Sequence, residues 1–487
     1  MGKQFDALVA GMAAGRDWDR MGDSDAVREL LWDVYDERFH SAAYQREAYQ
    51  LRTNLQTGAD KASYAGWITA DNPTSGPYQG TSFVWFPGED GSVAVLVIGT
   101  DGFGKDTHIL GRPGHMRRLK ALSRIHGGDV WVKPDLLDLT ADVPTAISDS
   151  WPEIDAALRS YKHVIYAATA VRSEADAERV ADLLDLFFHE HGTPLTGPAR
   201  KRWEERTAQI AAHVFPSVEL SDVEALLRER RFVVLEGPPG TGKTRLAFQI
   251  ADDVGSSTRI QFHPARTYED FVVGLFPTPT SDGLAFEVRP GDLLRANREA
   301  AAKEHVLFID EINRADLGRV LGEAVALFEV GSEQRSLRLP HQPAGYPEEL
   351  TLADGMMVLA TRNTADRTIA RLDVAIRRRF AFVPMWPQFE VVRAEECDLA
   401  IHCFEDTLST FTEYADEETL KLVPGHAYFL DPRPDEDPGR RRARVANRLT
   451  YELLPLLREY VSERLCGAAT LEVAGLADRI EARTLGN

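Results

Sequence analysis

Three short segments near the middle of the chain contain the residue types that phosphoryl transfer needs. The first, GPPGTGKT, spans Gly237 to Thr244. The second, VLFIDE, ends in Asp310 and Glu311, and the third, MMVLATRN, ends in Asn363. Each segment is led by an apolar run that is typical of a buried strand. Together they predict a site that binds and hydrolyses a nucleoside triphosphate.

The first segment fits the phosphate-binding pattern G-x-x-x-x-G-K-[ST], with the strand pattern FVVLE before it and a helical pattern after it. Its backbone N–H groups can turn towards phosphates, and the start of the helix adds positive potential. Lys243 is placed to reach the terminal phosphates, and Thr244 is placed to bind Mg²⁺. The expected nucleotide-binding residues are Gly237, Pro238, Pro239, Gly240, Thr241, Gly242, Lys243 and Thr244.

The second and third segments supply groups that would act on the bound nucleotide. Asp310 is expected to hold Mg²⁺, and Glu311 is expected to orient or deprotonate the attacking water. Asn363 could contact the γ-phosphate or that water. Further on, a helical pattern closes with the run 377–379, RRR. Such a run is either a solvated helix end or a source of arginine for phosphoryl transfer in a neighbouring subunit.

The surrounding patterns predict how these segments are positioned. Alternating strand and helix patterns over residues 229–388 predict a parallel α/β core, and residues 389–487 follow as mostly helices. Residues 196–228 predict a helical linker. Residues 1–195 predict an α+β domain with a long helix over 25–55, a hairpin over 81–98, a strand within 162–171 and a serine-capped helix within 173–192.

The composition of the 487-residue chain excludes several classes of protein. A net charge of −20 argues against a protein that coats nucleic acid over its whole surface. The three cysteines are too few for a disulfide framework, and their spacing does not fit a zinc site. No apolar run is long enough to span a membrane, and the N-terminus lacks a signal-peptide pattern. We therefore expect a cytoplasmic protein without a membrane segment.

One basic stretch stands out against this acidic background. Residues 107–128 contain five Arg or Lys residues, three His and no acidic residue. They could track DNA phosphates, and the aromatic residues nearby could stack on a flipped base. The alternative is a basic helix face on a domain whose aromatic residues form its own core, and the sequence leaves both open. The basic residues are Arg112, Arg117, Arg118, Lys120 and Arg124; the aromatic ones are Trp67, Tyr78, Phe83 and Trp85.

Several segments together resemble the AAA+ module of the McrB family, the motor subunits of modification-dependent restriction systems. These segments are GPPGTGKT, FHPARTYEDFVVG, DEINRAD and NTADRTIARLDVAIRRRF, with GHAYF and YELLPLLREY in the region of the family's C-terminal lid. The resemblance covers about residues 225–465. It implies an α/β AAA+ P-loop NTPase core with a C-terminal helical lid, preceded here by the α+β N-terminal domain.

The resemblance also implies a role for each matching residue. It makes Lys243 and Thr244 the phosphate and Mg²⁺ ligands. It makes Asp310 and Glu311 the Walker B pair, and Asn363 the first sensor.

A second group of residues would act across a subunit interface in this family. Asp373, Arg378 and Arg379 would be offered to the neighbouring subunit's site, with Arg378 the preferred arginine finger. Asn313 and Arg314, within DEINRAD, would organise the same interface.

The function implied by the resemblance is a ring motor, expected to be a hexamer, that uses Mg²⁺ and GTP in preference to ATP. Because the chain shows no nuclease motif, we expect a separate McrC-like nuclease subunit as partner, and DNA as a target of the N-terminal domain. The alternatives are a MoxR-like chaperone ATPase and a nucleotide-gated DNA-binding assembly with little turnover. The last of these is suggested by Arg362, which stands where the McrB family usually has Met.

Overall fold

The structure is a computed structural model, and it describes residues 2–15, 24–39, 46–54, 63–88, 90–136, 138, 161, 163–280, 283–329, 335–366, 374–434 and 437–485. The chain divides into two compact units. The first unit comprises Met1–Val214 and Thr412–Asp416, and the second comprises Phe215–Phe411 and Glu417–Asn487. Every helix among the described residues is too short or too polar to cross a bilayer.

The first unit is built on an antiparallel sheet, whose described strands lie in the order β1-β2-β3-β4-β6-β5. Phe83 and Trp85 point to one face of the sheet, whereas Val84 and Phe86 point to the other, as the two-residue period of a strand requires. The strands are β1 (Tyr49–Asn54), β2 (Tyr64–Thr69), β3 (Thr81–Pro87), β4 (Ser92–Ile98), β5 (Val130–Val132) and β6 (Ile165–Val171).

Helices cover the Phe83 face of this sheet and form the main core of the unit. The last of them, α6, is held by ion pairs: Arg202 and Arg206 both bind Asp182, at 2.6 and 2.9 Å. The segment that the sequence assigns to a linker therefore packs against this unit through residue 214. The helices are α1 (Lys3–Ala13), α2 (Ser24–Arg38), α3 (Thr107–Leu110), α4 (Pro113–Ile125), α5 (Ala177–Glu190) and α6 (Gly197–Val214).

The expectation of one long helix over residues 25–55 is wrong. Helix α2 ends at Arg38, and residues 49–54 form strand β1, paired antiparallel with β2. In β1 the buried Tyr49 and Leu51 alternate with half-buried neighbours, and pairing with β2 satisfies the backbone. The other expectations for this unit are confirmed: β3 and β4 form the hairpin, β6 is a buried strand, and Ser173 caps the turn that leads into α5.

The second unit contains the expected parallel α/β core. Its described strands lie in the order β15-β7-β14-β11-β8, and every neighbouring pair is parallel. These strands are β7 (Phe232–Gly237), β8 (Ser257–Gln261), β11 (His305–Asp310), β14 (Met356–Asn363) and β15 (Ala381–Pro384). Two small antiparallel pairs accompany them: β9 (Val273–Thr280) with β10 (Gly283–Pro290), and β12 (Ser336–Arg338) with β13 (Glu349–Thr351).

Helices flank this sheet and make up the region after it, as expected. The helices of the core are α7 (Leu220–Arg230), α8 (Lys243–Val254), α9 (Tyr268–Phe271), α10 (Asp292–Ala300), α11 (Leu317–Leu321) and α12 (Val374–Arg377). Those after it are α13 (Phe389–Arg393), α14 (Asp398–Tyr414), α15 (Glu417–Leu420), α16 (Arg441–Arg448), α17 (Leu454–Ser462) and α18 (Thr470–Leu485). A π-helical turn, Leu449–Leu453, joins α16 to α17.

The parallel sheet brings the three chemistry-bearing segments to one edge. In the strand register Asn363 lies opposite Gly237, and Ile309, just before Asp310, lies opposite Ala360. Because parallel strands end at the same edge, the carboxyl ends of β7, β11 and β14 meet there. This edge is where ligands bind in open α/β sheets.

Candidate nucleotide site

The segment between β7 and α8 is a tight loop whose shape depends on two glycines. Gly240 and Gly242 have φ values of 78° and 79°, in the left-handed region that disfavours residues with a Cβ atom. The buried Thr241 hydroxyl donates to the Pro238 carbonyl at 3.0 Å and so fixes the middle of the loop. Helix α8 begins at Lys243, so the first N–H groups of the helix, which lack a partner within it, follow directly on the loop.

Lys243 lies inside this loop, mostly buried. Its Nζ atom donates to the carbonyl oxygens of Gly237 at 2.9 Å and Pro238 at 2.5 Å. Burial lowers the pKa of Lys243 to about 8, although Asp310 and Glu311 act in the opposite direction. An anion in the loop would restore a charge partner to this ammonium group, as expected of a residue that binds phosphate.

Asp310 connects the loop to the neighbouring strands through two hydroxyl groups. Its Oδ1 atom accepts hydrogen bonds from Thr244 Oγ1 at 3.1 Å and from Thr361 Oγ1 at 2.5 Å. Thr244 and Asp310 thus offer a hydroxyl and a carboxylate oxygen side by side. This donor set fits Mg²⁺, which takes oxygen ligands and, in nucleotide sites, only one or two from the protein.

Thr361 is a site residue that the sequence analysis missed. It is 1% exposed on β14, and besides donating to Asp310 it accepts the Glu311 backbone N–H at 2.9 Å. A signal was present, because Thr361 precedes Asn363 by two residues and so shares its face of the strand. One hydroxyl therefore positions both acidic residues.

Glu311 has an unusual backbone for a non-glycine residue, with φ at 53°. This left-handed conformation costs free energy, and such residues concentrate at functional sites. Its carboxylate forms an ion pair with Arg314 Nε of the same chain. The glutamate that the sequence predicts to be catalytic therefore follows the end of β11 directly, and its carboxylate is held by Arg314, three residues further along the DEINRAD segment.

Asn363 and Asn313 lie against each other at the end of β14. Asn313, 4% exposed, donates from Nδ2 to the Asn363 carbonyl at 3.3 Å. The Asn363 side chain accepts the Ala365 N–H at 3.0 Å through Oδ1, which leaves its amide nitrogen as the group able to donate to a ligand. Thr364 donates its N–H to the Gly237 carbonyl at 3.1 Å, which ties this strand end to the phosphate loop.

The three consecutive arginines at the end of α12 and directly after it have different surroundings. Arg379 is 8% exposed, and its Nη2 atom lies 3.8 Å from the Glu329 carboxylate. Arg378 is exposed, as a residue offered to another subunit would be. Arg377 is also exposed, with its guanidinium 5.5 Å from the Phe382 ring. Asp373, expected to act with them, lies outside the described residues.

The lid segment GHAYF touches the phosphate loop directly, which the sequence analysis did not foresee. Gly425 N–H donates to the Pro239 carbonyl at 3.0 Å, and Ala427 N–H donates to the Gly240 carbonyl at 2.9 Å. A Cβ atom on Gly425 would lie 2.0 Å from the Gly240 carbonyl carbon, so no larger residue fits there without a shift. His426 lies between them, 8% exposed.

In the first unit, the basic stretch does not form one free face. Arg118 is 4% exposed and donates to Glu190 at 2.7 Å. Arg112 donates to Glu413 at 2.9 Å, and Arg117 donates to the carbonyls of residues 412 and 415, in the short segment that belongs to this unit. Lys120 and Arg124 are exposed. The structure therefore does not favour a track of five phosphate contacts.

The aromatic residues of the first unit are mostly core. Trp67, Phe83 and Trp85 are at most 2% exposed and pack in the main core, so they are not available to stack on a base. Tyr78 differs, because it lines a cavity of about 280 Å³. That cavity lies against the opposite face of the sheet, where Val84, Phe86 and Val97 contribute to it.

A comparison with family models matches residues 232–380 to the AAA domain of the dynein-related subfamily. The match begins at β7 and ends beside the arginine run, so it contains Lys243, Thr244, Asp310, Glu311 and Asn363.

Curated relatives extend the comparison beyond that domain. The chain is 27% identical over 352 residues to the Type IV methyl-directed restriction enzyme EcoKMcrB subunit of Escherichia coli (strain K12), covering 66% of this chain and 75% of that protein. It is 27% identical to the Holliday junction branch migration complex subunit RuvB of Saccharopolyspora erythraea, over 50% of this chain and 55% of that one. It is 24% identical to the Type II restriction enzyme BsuMI component YdiS of Bacillus subtilis (strain 168), over 31% of this chain and 55% of that protein.

Proposed function

Since the chain is an McrB-like AAA+ protein, we propose that it hydrolyses a nucleoside triphosphate with Mg²⁺ and serves as the motor subunit of a DNA restriction system. One observation carries the hydrolytic part of this proposal. The loop residue Thr244 and the strand-end residue Asp310 are joined at 3.1 Å, with Lys243 and Glu311 adjacent to them in sequence. A phosphate-binding group and a water-activating group are thereby brought to one edge of the sheet.

Each residue has a distinct part in the proposed reaction. Lys243 and the N–H groups at the start of α8 bind the phosphates, while Thr244 and Asp310 hold Mg²⁺, which neutralises phosphate charge when bound. Glu311 accepts a proton from the water that attacks the γ-phosphorus. The bond from that phosphorus to the β–γ bridging oxygen breaks, which gives the diphosphate and inorganic phosphate. The Asn363 amide orients the water or the γ-phosphate.

Glu311 must leave Arg314 for this reaction to occur. Arg314 belongs to the DEINRAD segment, which we propose, from the resemblance, to lie at the interface between subunits. A neighbouring subunit that engages Arg314 would release the Glu311 carboxylate, while the exposed Arg378 would enter the neighbour's site. This supports a ring, expected to be a hexamer, in which assembly and hydrolysis are coupled.

We propose GTP in preference to ATP, on the McrB-like character of the chain alone. The contacts of the phosphate loop are to phosphates and do not read the base. Competition between GTP and ATP for a fluorescent triphosphate decides the point, and a clear preference for ATP would overturn this part of the proposal.

The partner is proposed to be a separate McrC-like nuclease subunit that docks on the ring and stimulates hydrolysis. The restriction functions named for two relatives support this. None of the three relatives described above is named as a chaperone, so none of them favours the MoxR-like alternative. The alternative of an assembly with little turnover depended on Arg362, and Glu236 now pairs with that charge at 2.9 Å.

For the target, we propose that the first unit reads a planar base at its 280 Å³ cavity and not along α4. The rings of Tyr64, Phe86 and Tyr161 meet there, with the Phe86 and Tyr161 centroids 5.3 Å apart. Arg52 lies over the Tyr78 ring at 5.0 Å and donates to the Gly76 carbonyl at 2.7 Å. Aromatic walls with one cation suit stacking of a heterocycle.

Three measurements test the function: phosphate release, DNA cleavage and DNA retention. Phosphate release with GTP or ATP should require Mg²⁺ and vanish in Lys243→Ala, while modified DNA should stay intact until the nuclease subunit is added. Retention of methylated duplex by the full chain should fall in Tyr161→Ala and remain in the matched variant Tyr451→Ala, which changes an exposed tyrosine of the second unit. Cleavage of DNA by the isolated chain would contradict the proposed partner, and equal retention by both variants would contradict the cavity.

A further inference from the structure

One lid side chain, that of His426, lies against the start of the phosphate loop helix. Its Nε2 atom would be 3.5 Å from a Cβ atom built on Gly242, the residue just before Lys243. The two backbone hydrogen bonds made by Gly425 and Ala427 to the loop fix His426 in this place from both sides. Nothing in the local sequence pattern around His426 indicates this position.

The hydrogen bonding of the ring determines which nitrogen carries the proton. The backbone N–H of Gln388 donates to His426 Nδ1 at 3.1 Å, so Nδ1 is an acceptor. In a neutral imidazole the hydrogen is then on Nε2. Burial, reinforced by Arg245 and Lys243, lowers the pKa of His426 to about 4, so the ring is neutral at neutral pH. Among the described residues, Nε2 has no hydrogen-bond acceptor.

We propose that His426 binds the phosphate chain of the nucleotide by donating a hydrogen bond from Nε2. The position favours phosphates over the base, because Nε2 borders Gly242, at the N-terminus of α8 where phosphates are held. The two cations that act on the ring, Lys243 and Arg245, flank the same helix start. The inference rests on the proposed nucleotide binding, to which it adds a contact supplied by the lid.

The occupied loop would therefore be closed by two parts of the chain. The core supplies Lys243 and the helix N–H groups, and the lid supplies His426. Because Gln388 fixes the tautomer of the ring, the donor is in place before the nucleotide arrives, and binding does not require a rotation of the side chain.

Two substitutions at His426 distinguish the loss of the Nε2 donor from the loss of the imidazole ring itself. In His426→Asn, the side-chain oxygen takes the place of Nδ1 and can still accept the Gln388 N–H, but no donor reaches the position of Nε2. In His426→Gln, the longer side chain places an amide nitrogen near the position of Nε2. We expect His426→Asn to weaken triphosphate binding about tenfold or more, whereas His426→Gln stays within about threefold of the unchanged protein.

The measurement is equilibrium binding of a fluorescent triphosphate, the matching diphosphate and the nucleoside without phosphate, with melting temperatures showing that each variant is folded. Loss of affinity for the phosphorylated ligands alone supports the inference. Unchanged affinity in His426→Asn, equal losses in both variants, or an equal loss for the nucleoside would overturn it. If the unchanged protein and Lys243→Ala bind triphosphate equally poorly, the proposed function fails and the inference with it. If Lys243→Ala loses triphosphate binding but both His426 variants bind as tightly as the unchanged protein, the inference fails and the proposed function stands.

Discussion

Arg362 and Glu236 form an ion pair across two neighbouring strands of the parallel sheet, with Arg362 Nη1 at 2.9 Å from Glu236 Oε2. The two residues are directly paired in the register of β14 and β7. Glu236 immediately precedes Gly237, so the charge that Arg362 adds to the sensor strand is compensated at the base of the phosphate loop. Arg362, which stands where the McrB family usually has Met, is thus matched by a carboxylate on the neighbouring strand.

This pair predicts a non-additive effect on stability. The two side chains are 17% and 24% exposed, so removing one leaves a partly buried charge without its partner. We expect Arg362→Met and Glu236→Gln each to cost about 1 to 2 kcal/mol in the free energy of unfolding, and the double variant to cost less than their sum. Urea unfolding of all four proteins measures the coupling; strictly additive costs would contradict it.

Glu311→Gln is expected to bind the nucleotide and to stop hydrolysis. The amide cannot accept a proton from water, whereas the phosphate contacts of Lys243 and the loop are unchanged. Turnover should fall by about two orders of magnitude or more, with triphosphate affinity within about threefold. Phosphate release and equilibrium binding test this, with Lys243→Ala as the reverse case that loses binding. Hydrolysis at the unchanged rate would remove Glu311 from the mechanism.

Arg378 and Arg379 are expected to respond differently to replacement. Arg378→Ala should leave the melting temperature nearly unchanged, because the residue is exposed, and abolish hydrolysis, because we propose that its guanidinium acts in the next subunit. Arg379→Ala should lower the melting temperature, since this arginine is 8% exposed and lies near Glu329. Arg377→Ala is the exposed control. Mixing Arg378→Ala with Lys243→Ala chains should restore some activity, and no recovery at any ratio would argue against an arginine acting between subunits.

The neutral His426 predicts a dependence of stability on pH. Its pKa is about 4 in the folded protein and 6.5 in an unfolded chain, so stability is full above pH 6.5. As the pH falls from 6.5 to 4, His426 becomes protonated in the unfolded state but stays largely neutral in the folded state. This group therefore removes up to about 3 kcal/mol of stability over that range. Urea unfolding between pH 7 and 4.5 should show a smaller loss in His426→Asn; parallel curves would refute the assignment.

Gly425→Ala should separate the lid segment from the phosphate loop. The added methyl group would lie 2.0 Å from the Gly240 carbonyl carbon, and this neighbour is backbone and cannot rotate away. We expect at least a tenfold loss of triphosphate affinity, because the lid contacts and His426 move together. Gly475→Ala, in helix α18, is the matched control, since its nearest neighbour is the flexible end of Arg479 at 3.4 Å. Equal affinities in the two variants would contradict this view of the lid.

The sequence predicted those parts of the site whose function depends on local pattern. Lys243, Thr244 and Asp310 could be placed because strand, loop and helix follow one another along the chain. Thr361 shares a strand face with Asn363, but its bond to Asp310, like the bond between His426 and Gln388, joins distant segments, so the local pattern singled out neither residue. The same limit explains the error at Tyr49–Asn54, where helical spacing continued past α2 but pairing with β2 determined the structure. It also explains Arg118, whose buried partner Glu190 lies on another helix.

The backbone contacts between Gly425, Ala427 and the loop have a consequence for the timing of the cycle. The carbonyls that accept them belong to Pro239 and Gly240, residues that would wrap the phosphates, so we expect the release of diphosphate to be slower while both bonds persist. The lifetime of bound diphosphate would then depend on how often the lid segment dissociates from the loop. A molecule that binds the lid could change that rate. A partner protein that weakens the contacts between this segment and the loop could therefore accelerate turnover without contacting the γ-phosphate.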